Sequence, residues 1–391
     1  MNIIRTLLLT LFLTLPPIIS TPVWAGPIER IAYVTSEVDN TLTIVNLNEE
    51  KIIKVLPTGK TPHAMALTPS GKGYINNRNS DFLTIFDANH YEIGNPIPLP
   101  ALSFQLSLSP DGKTLAVAYR NILGITLIDT ATDTIIKTIK IGEEGHGFKG
   151  AMMRHPYWSK DGRFVYAQDN VNNTIVKINT ITYEIVATIA MPGSNHYLQP
   201  TKDGKLIYAC GETLAAGGTG ISIIDTESNT ILKTIPVPLA ADEFGLGHHG
   251  EFTPDGKYFL YANSGGNSIA VINTQSLEVV KVLHGNFGPG HLFTSKNGKL
   301  LFVVNHKDHV VTVIDIGKQE IIKEIPVGTG TNQAHNGFFT SDGKYFYMIN
   351  AKDGVLHKID TTKLESVSTV AIGTSPMFFA IKEGSHFITE E

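Results

Sequence analysis

The stretch FQLSLSPDGKTLAVAYRNILGITLIDTATDTIIKTIKIG, residues 104–142, contains four apolar runs separated by short polar segments. A Pro-Asp-Gly turn joins the first two runs. Asp-Gly between apolar runs is a strong hairpin signal, because glycine adopts the positive φ that such a turn requires. The runs follow a strand pattern and show almost no helical period. We therefore predict that this stretch forms a unit of four antiparallel strands.

The same unit recurs along the whole chain. Turns of the type Ser/Thr-x-Asp-Gly-Lys, with some degenerate copies, return every 41 to 52 residues. Their glycines are Gly71, Gly112, Gly162, Gly204, Gly256, Gly298, Gly343 and Gly384. Strands that end in Asp or Asn, such as ITLIDT and IAVINT, recur in step with the turns. Four strands at this period are typical of a β-propeller blade.

The number of blades depends on the two ends of the chain. Seven complete units begin near residues 62, 104, 154, 196, 248, 290 and 335. The C-terminal segment SPMFFAIKEGSHFITEE supplies an innermost strand and part of a second, and the N-terminal segment 29–59 supplies the remaining outer strands. We predict an all-β, eight-bladed propeller whose ring is closed by N- and C-terminal strands sharing one blade, which leaves no long open sheet edge. The alternative is a seven-bladed ring, in which Gly384 does not mark the turn of a separate blade.

The first 25 residues have the pattern of a secretory signal peptide. Arg5 precedes an apolar core, and a small-residue cleavage site ends at Ala25. We predict a single propeller domain over residues 26–391, located in the periplasm or secreted. We expect the mature chain to have no membrane span and to be a monomer or a small homo-oligomer. Cys210 is the only cysteine, which excludes an internal disulfide and a C-x-x-C-H haem attachment. The net charge of −5 does not indicate the basic surface that is typical of nucleic-acid-binding proteins.

Several motifs carry a resemblance to a known superfamily. Tyr33-Val34-Thr35-Ser36 begins the N-terminal unit, and the segment PTGKTPHAMALTPSGKGYI covers residues 57–75. With the recurring VIDT-like strand ends, the chain resembles the YVTN-type β-propellers. Within them it is similar to the d1-haem domain family of cytochrome cd1 nitrite reductase and of haem d1 biosynthesis proteins. The resemblance implies a haem-type tetrapyrrole as cofactor. The sequence has no attached cytochrome c module, so a self-sufficient reductase is not implied.

Histidines recur at one position of the repeat. Seven of them lie eight or seven residues before a turn glycine: His63, His155, His196, His248, His249, His291 and His335. Arg154 and Met377 occupy equivalent points of the third and eighth units, and Phe104 that of the second. This position is the entry to the innermost strand, so the seven side chains converge on one mouth of the central channel if they face inward. Alternation along a strand means that the two positions need not both face the axis.

Other polar residues are expected on the same face. The loops between second and third strands carry Arg78, Arg120, Glu212, His306, Lys307, His309 and Lys352. Two long insertions, 142–156 and 238–250, enter this face as well, and such loops are where a propeller usually keeps its function. We interpret His306 and His309 as solvated loop residues. Any one of the recurring histidines could also hydrogen-bond a neighbouring carbonyl and hold the blades in register.

Two functions are compatible with this pattern. Neutral imidazole binds Zn, Cu, Fe and Ni and can serve as an axial haem ligand. The first hypothesis is therefore an exported propeller that binds a metal ion, copper or iron, or a metallated tetrapyrrole at the channel mouth. It would serve redox chemistry or cofactor assembly and delivery, with a redox or assembly partner protein. The metal ligands would be the seven histidines, and the cofactor contacts Arg154 and Met377. The alternative is a non-catalytic YVTN scaffold for a protein, peptide or cell-wall partner. No catalytic pair is recognisable, so whether the chain is an enzyme stays open.

Overall fold

The computed structural model describes residues 28–142, 152–214, 218–239, 244–285, 288–329 and 336–388. The predicted signal peptide and His335 lie outside these residues, and so does the side chain of Glu212. The described residues form eight antiparallel sheets and no helix, and the sheets are arranged as the eight blades of a ring. No helix in the described ranges is long and apolar enough to cross a membrane. The eight-bladed prediction is confirmed, and the seven-bladed alternative is wrong.

Blades 1 to 7 follow one another along the chain, and blade 8 combines both ends. The chain begins with β1 (Arg30–Ser36), β2 (Thr41–Asn46) and β3 (Lys51–Pro57) of blade 8. Blade 1 contains β4 (Pro62–Leu67), β5 (Lys72–Asn77), β6 (Phe82–Asp87), β7 (Glu92–Ile93) and β8 (Ile97–Pro98). Blade 2 contains β9 (Ser103–Leu108), β10 (Thr114–Tyr119), β11 (Gly124–Asp129) and β12 (Thr134–Lys140). Blade 3 contains β13 (Tyr157–Trp158), β14 (Phe164–Asp169), β15 (Thr174–Asn179) and β16 (Ile185–Ala190).

The second half of the ring repeats this order. Blade 4 contains β17 (Gly193–Pro200), β18 (Leu206–Leu214), β19 (Thr219–Asp225) and β20 (Thr230–Val237). Blade 5 contains β21 (Gly247–Phe252), β22 (Tyr258–Asn263), β23 (Ser268–Asn273) and β24 (Glu278–His284). Blade 6 contains β25 (Pro289–Thr294), β26 (Leu300–Asn305), β27 (Val310–Asp315) and β28 (Glu320–Pro326). Blade 7 contains β29 (Gly337–Phe339), β30 (Tyr345–Asn350), β31 (Val355–Asp360) and β32 (Glu365–Ala371). The chain ends with β33 (Pro376–Glu383) and β34 (His386–Ile388) of blade 8.

The recurring Asp-Gly turn is held by the side chains that define its consensus. In blade 5 the Thr253 hydroxyl donates to Asp255 Oδ1 over 2.7 Å, and the same oxygen accepts the Lys257 N–H at 3.1 Å. Gly256 has a φ of 70°, which disfavours a residue with a Cβ. The Thr274 hydroxyl at the end of β23 donates 2.6 Å to the Gly256 carbonyl. The two repeated motifs therefore bind each other, which explains why they recur together.

The hydrophobic core lies between neighbouring blades. Middle strands such as β26, with the sequence LLFVVN, are buried on both faces, whereas outermost strands such as β3 are largely exposed. Between blades 4 and 5, Tyr208 and Ile223 pack in one cluster with Phe259 and Tyr261. Each blade buries its apolar faces only against its neighbours, so the ring has to close for the first and last strands of the chain to be covered.

The ring closes by pairing of β1 with β33, with Tyr33 opposite Ala380 and Val34 opposite Phe379. This confirms that N- and C-terminal strands share one blade. One detail of the prediction is wrong, because β34 does not lie in the second position of the blade. It pairs with the other edge of β33, on the channel side, since β1 already occupies the outer edge. Gly384, with a φ of 60°, forms the turn between β33 and β34.

Candidate functional site

The innermost strands share an irregularity at their entry. In blade 5, Gly247 lies opposite Asn263 and Gly250 opposite Tyr261, so β21 has one more residue than β22 over this interval. Register shifts occur at the equivalent point in five other blades. The strands that carry them are β4, β9, β17, β25 and β33. Such a bulge re-aims side chains that strict alternation would separate. Consecutive residues, His248 and His249, consequently reach the same space.

Six histidines from four blades lie together at this mouth of the channel. We call them the imidazole cluster: His155, His196, His248, His249, His291 and His306. The His249 ring lies 3.8 Å from that of His291 and 5.4 Å from that of His196, between centroids. The His248 ring lies 3.9 Å from that of His196 and 4.6 Å from that of His306. Side chains from blades 3, 4, 5 and 6 are therefore in mutual contact.

The cluster contains two groups with the spacing of a metal site. The ring nitrogens of His155, His196 and His249 approach within 4.8 Å of one another, and so do those of His248, His249 and His291. His249 belongs to both groups. Three imidazoles at this separation can bind one ion, since metal–nitrogen bonds of about 2.0–2.1 Å place two ligand atoms about 3–4 Å apart.

Burial favours the neutral imidazole, which is the metal-binding form. His249 and His291 are 7% and 2% exposed. Burial lowers the pKa of His249 well below its usual range, and neighbouring imidazoles, His291 first, lower it further. Burial likewise lowers the pKa of His155, with His196 and then Arg154 adding to the effect. The Nε2 atom of His249 is buried and has no hydrogen-bond partner among the described residues.

Positively charged side chains lie beside the cluster. We call Arg78, Arg120 and Arg154 the arginine group. The guanidinium carbons of Arg78 and Arg154 lie 4.5 Å and 5.7 Å from the centroid of the Phe104 ring. Arg78 Nη1 is 3.6 Å from Glu37 Oε1. Glu37 follows β1 and was not singled out from the sequence, although its loop corresponds to the loop that carries Arg78 in blade 1.

The predicted residues do not all lie in these two regions. His155, His196, His248, His249 and His291 are brought together in the imidazole cluster. His63 is 1% exposed but lies apart, with Nδ1 2.7 Å from Glu37 Oε1 and its ring 4.7 Å from that of Phe378. Its blade faces blade 5 across the channel. Met377 is 7% exposed and packs in an apolar cluster with Ala64, Ala351 and Phe378.

The interpretation of His306 as a solvated loop residue is wrong. Its ring lies 4.6 Å from that of His248 and 5.3 Å from that of His291, because the loop after β26 folds over the entry of β25. The available signal was its place in a loop already assigned to this face. His309, three residues on, has a side chain 54% exposed and pairs with Asp308, as expected of a surface residue.

Two cavities adjoin the cluster inside the channel. One of about 40 Å³ is lined by His155, His249 and His291 together with Phe378. The other, of about 290 Å³, is lined by His249, Glu251, Phe338 and Ile388, among others. Ile388 belongs to β34, so the C-terminal strand forms part of the channel wall.

Two family models match parts of the chain. The model of the YNCE-like beta-propeller family matches residues 243–344. A second model, a domain of unknown function (DUF5074), matches residues 29–202.

Two curated proteins are similar over part of their length. The chain is 26% identical over 207 residues to dihydro-heme d1 dehydrogenase of Pseudomonas aeruginosa, which covers 50% of this chain and 39% of that protein. It is 24% identical over 134 residues to a seven-bladed beta-propeller protein of Mycobacterium tuberculosis, covering 34% and 32%. The chain thus spans about two fifths of the first relative and about one third of the second.

Solved structures show the same fold at low identity. Dihydro-heme d1 dehydrogenase NirN in complex with DHE superposes with a TM-score of 0.75 at 17% identity, over 89% of this chain and 74% of that one. Apo AztD from Citrobacter koseri superposes with a TM-score of 0.64 at 12% identity, over 93% and 100%. Hydrazine synthase of Kuenenia stuttgartiensis superposes with a TM-score of 0.58 at 18% identity, over 77% of this chain and 95% of that one. The chain is an eight-bladed β-propeller similar to the YNCE-like propellers and to dihydro-heme d1 dehydrogenase, and the resemblance predicted from its sequence is confirmed.

Proposed function

We propose that the imidazole cluster binds a first-row transition-metal ion at the channel mouth. The observation that carries the proposal is the convergence of two three-histidine groups on His249, with their ring nitrogens within 4.8 Å. A donor set made of nitrogen favours Cu, Zn, Fe or Ni over Mg and Ca, which prefer oxygen ligands. Of these metals, the sequence pattern suggests copper or iron.

A purely structural role accounts poorly for this arrangement. A residue that only holds the blades in register needs a hydrogen-bond partner, yet the buried Nε2 of His249 has none in the described part of the chain. A buried polar atom left in this state destabilises a fold by about 1–3 kcal/mol. A metal ion would give that atom a ligand bond.

The inferred role is metal carriage or redox chemistry, without an acid–base step. Three imidazoles leave at least one coordination position for a further ligand or for exchange. We infer that the chain acts after export, as the signal peptide predicted over residues 1–25 implies. A redox or assembly partner protein would dock on the face that bears the cluster.

A metallated tetrapyrrole is the second candidate. It is supported by the relative named dihydro-heme d1 dehydrogenase and by the arginine group beside the cluster, because guanidinium groups pair with carboxylates. The rings of the cluster are too close together to admit a macrocycle between them, so an imidazole at the edge of the cluster would hold the tetrapyrrole. When bound, the group would supply redox chemistry. Arg154 would contact its carboxylates, whereas Met377 would reach it only after leaving its apolar cluster.

Metal titration of the purified protein tests the proposal. The protein is treated with a chelator, then titrated with Co(II), Cu(II) and Zn(II), with calorimetry and visible absorption as readouts. We expect saturable binding and, for Co(II), d–d bands of nitrogen ligation, both lost in His249→Ala. The matched control is His90→Ala, whose ring is 74% exposed near Asp87 and far from the cluster. Equal binding by both variants, or none by the wild type, would contradict the proposal.

A parallel haem titration separates the second candidate. A new Soret band that depends on the imidazole cluster would support tetrapyrrole binding. The non-catalytic scaffold alternative predicts instead that a partner still binds after several cluster histidines are replaced by alanine.

A further inference from the structure

We propose that Arg78 anchors a carboxylate-binding subsite beside the imidazole cluster, and that the metal is held there together with a small organic di- or tricarboxylate. The claim that a metal is bound rests on the proposed function. The claim that a carboxylate is bound rests on the arginine group alone.

One hydrogen-bond donor of Arg78 is unused among the described residues. Its side chain is 20% exposed, and Nη1 lies 3.6 Å from Glu37 Oε1. The same carboxylate oxygen is 2.7 Å from His63 Nδ1, so Glu37 is shared between two groups. The Nε atom of Arg78 is buried and has no hydrogen-bond partner within the described ranges. The Nε–Nη2 edge of a guanidinium matches the two oxygens of a carboxylate, which makes an organic acid the fitting partner.

The positive charge around Arg78 also favours binding of an anion. Burial lowers the pKa of Arg78 to about 10, and the charges of Arg120 and Arg154 add to this effect, while Glu37 opposes it. Two further guanidinium groups and the Glu37 carboxylate thus act on the charge of Arg78. A bound anion would offset the repulsion that these groups exert on one another in a partly buried site.

The Arg78 guanidinium lies on an aromatic surface. Its central carbon is 4.5 Å from the centroid of the Phe104 ring, and that of Arg154 is 5.7 Å from the same ring. A guanidinium held against an aromatic ring by a cation–π contact loses less freedom when it binds an anion. The subsite is therefore preorganised before any ligand arrives.

The subsite adjoins one three-histidine group. Arg154 precedes His155 in the chain, and Arg154 and Arg78 are both near enough for their charges to lower the pKa of His155. A metal bound by His155, His196 and His249 would have an open position beside the arginine group. A ligand with two or more carboxylates can bind Arg78 with one carboxylate and the metal with another, and it spans a longer distance than a halide or a single carboxylate.

Calorimetric titration with citrate tests the subsite in metal-free and Zn(II)-loaded protein. We expect citrate to bind the wild type at least tenfold more tightly when zinc is present. Arg78→Met should weaken citrate binding at least tenfold in both forms. Arg78→Lys keeps the charge but loses the two-nitrogen edge, so it should also be weakened, and it serves if the methionine variant does not fold. The control is Arg163→Met, which removes an exposed arginine paired with Asp161 in a surface turn and should leave citrate affinity unchanged.

Because citrate also chelates zinc in solution, both are quantified on the protein after gel filtration. Retention of zinc and citrate in equal amounts supports joint binding, whereas zinc stripped from the wild type without retained citrate overturns it. Citrate binding that is unaffected by Arg78→Met, or equally reduced by Arg163→Met, overturns the subsite. Arg78-dependent citrate binding to a protein that takes up no zinc would leave the subsite standing and contradict the metal proposal.

Discussion

The rings of His249 and His291 lie 3.8 Å apart between centroids, although the two residues belong to neighbouring blades. Each lies at the entry of the innermost strand of its blade, where the ladder contains an extra residue. The contact therefore joins blades 5 and 6 through two buried imidazoles. It also makes His249 the residue on which both three-histidine groups depend.

The loss of metal affinity in single alanine variants should depend on how many three-histidine groups contain the residue. We expect His249→Ala to weaken Zn(II) or Cu(II) binding most, because both groups lose a ligand. His196→Ala and His291→Ala each remove a ligand from one group and should weaken binding less. His63→Ala should keep wild-type affinity, since His63 contacts Glu37 and lies outside the cluster. Competition with a chromophoric chelator measures the series, and an equal effect of His63→Ala would show that the cluster is not the site.

The Asp-Gly turns should tolerate a side chain only at the cost of backbone strain. Gly256 has a φ of 70°, and a Cβ built there meets no atom within 4 Å, so strain is the only expected effect. We expect Gly256→Ala to lower the free energy of unfolding by about 1–2 kcal/mol. Gly256→Asn should cost less, because asparagine visits this conformation more readily. Urea denaturation of the three proteins provides the measurement, and equal losses in both variants would point to a cause other than φ.

The ion pair between Arg30 and Glu383 should stabilise ring closure. Arg30 Nε lies 2.6 Å from Glu383 Oε1, and their side chains are 13% and 5% exposed. Arg30→Met leaves a buried carboxylate without its partner and should cost about 3 kcal/mol. The double variant Arg30→Met/Glu383→Gln should lose less than the sum of the single losses. Additive losses in a denaturation cycle would argue against this coupling. As a control, Lys113→Met removes an exposed pair with Asp111 and should change stability by less than about 0.5 kcal/mol.

His357 should make the fold sensitive to acid. It is 6% exposed, and burial lowers its pKa below the usual range, with Asp353 opposing the shift only in part. The unfolded chain therefore takes up a proton near pH 6.5 that the folded chain resists, and stability falls as the pH drops below that value. His357→Gln keeps a hydrogen-bonding side chain opposite Ser366 but does not titrate.

The loss of stability between pH 7.5 and 5.5 should be smaller in His357→Gln by about 1 kcal/mol, since one pH unit corresponds to at most about 1.4 kcal/mol per group. His90→Gln is the control of opposite sign, because the hydrogen bond that the exposed His90 donates to the Asp87 carboxylate raises the pKa of His90. Denaturation midpoints at the two pH values decide the question. An unchanged pH dependence in His357→Gln would show that this residue does not titrate as its burial implies.

The position of the candidate site could be predicted from the sequence, but not which histidines belong to it. The repeat placed His155, His196, His248, His249 and His291 at equivalent positions. It placed His63 there as well, because equivalence within a repeat does not specify which of the equivalent side chains come into contact. His306 was missed because its loop was assigned only to the correct face, whereas its contact with His248 depends on how that loop folds over the entry of β25.

The sequence alone determined the architecture of this protein. Asp-Gly turns that require a positive φ, alternating apolar strands and complementary chain ends specify eight blades, because each feature acts through local backbone geometry or nearest-neighbour packing. The tertiary structure decided the chemistry of the mouth. The bulge that directs both His248 and His249 inward depends on register against β22, and the imidazole cluster exists only because separate blades meet around one channel. Side chains far apart in the chain become ligands of one site only when the closed ring fixes their separation.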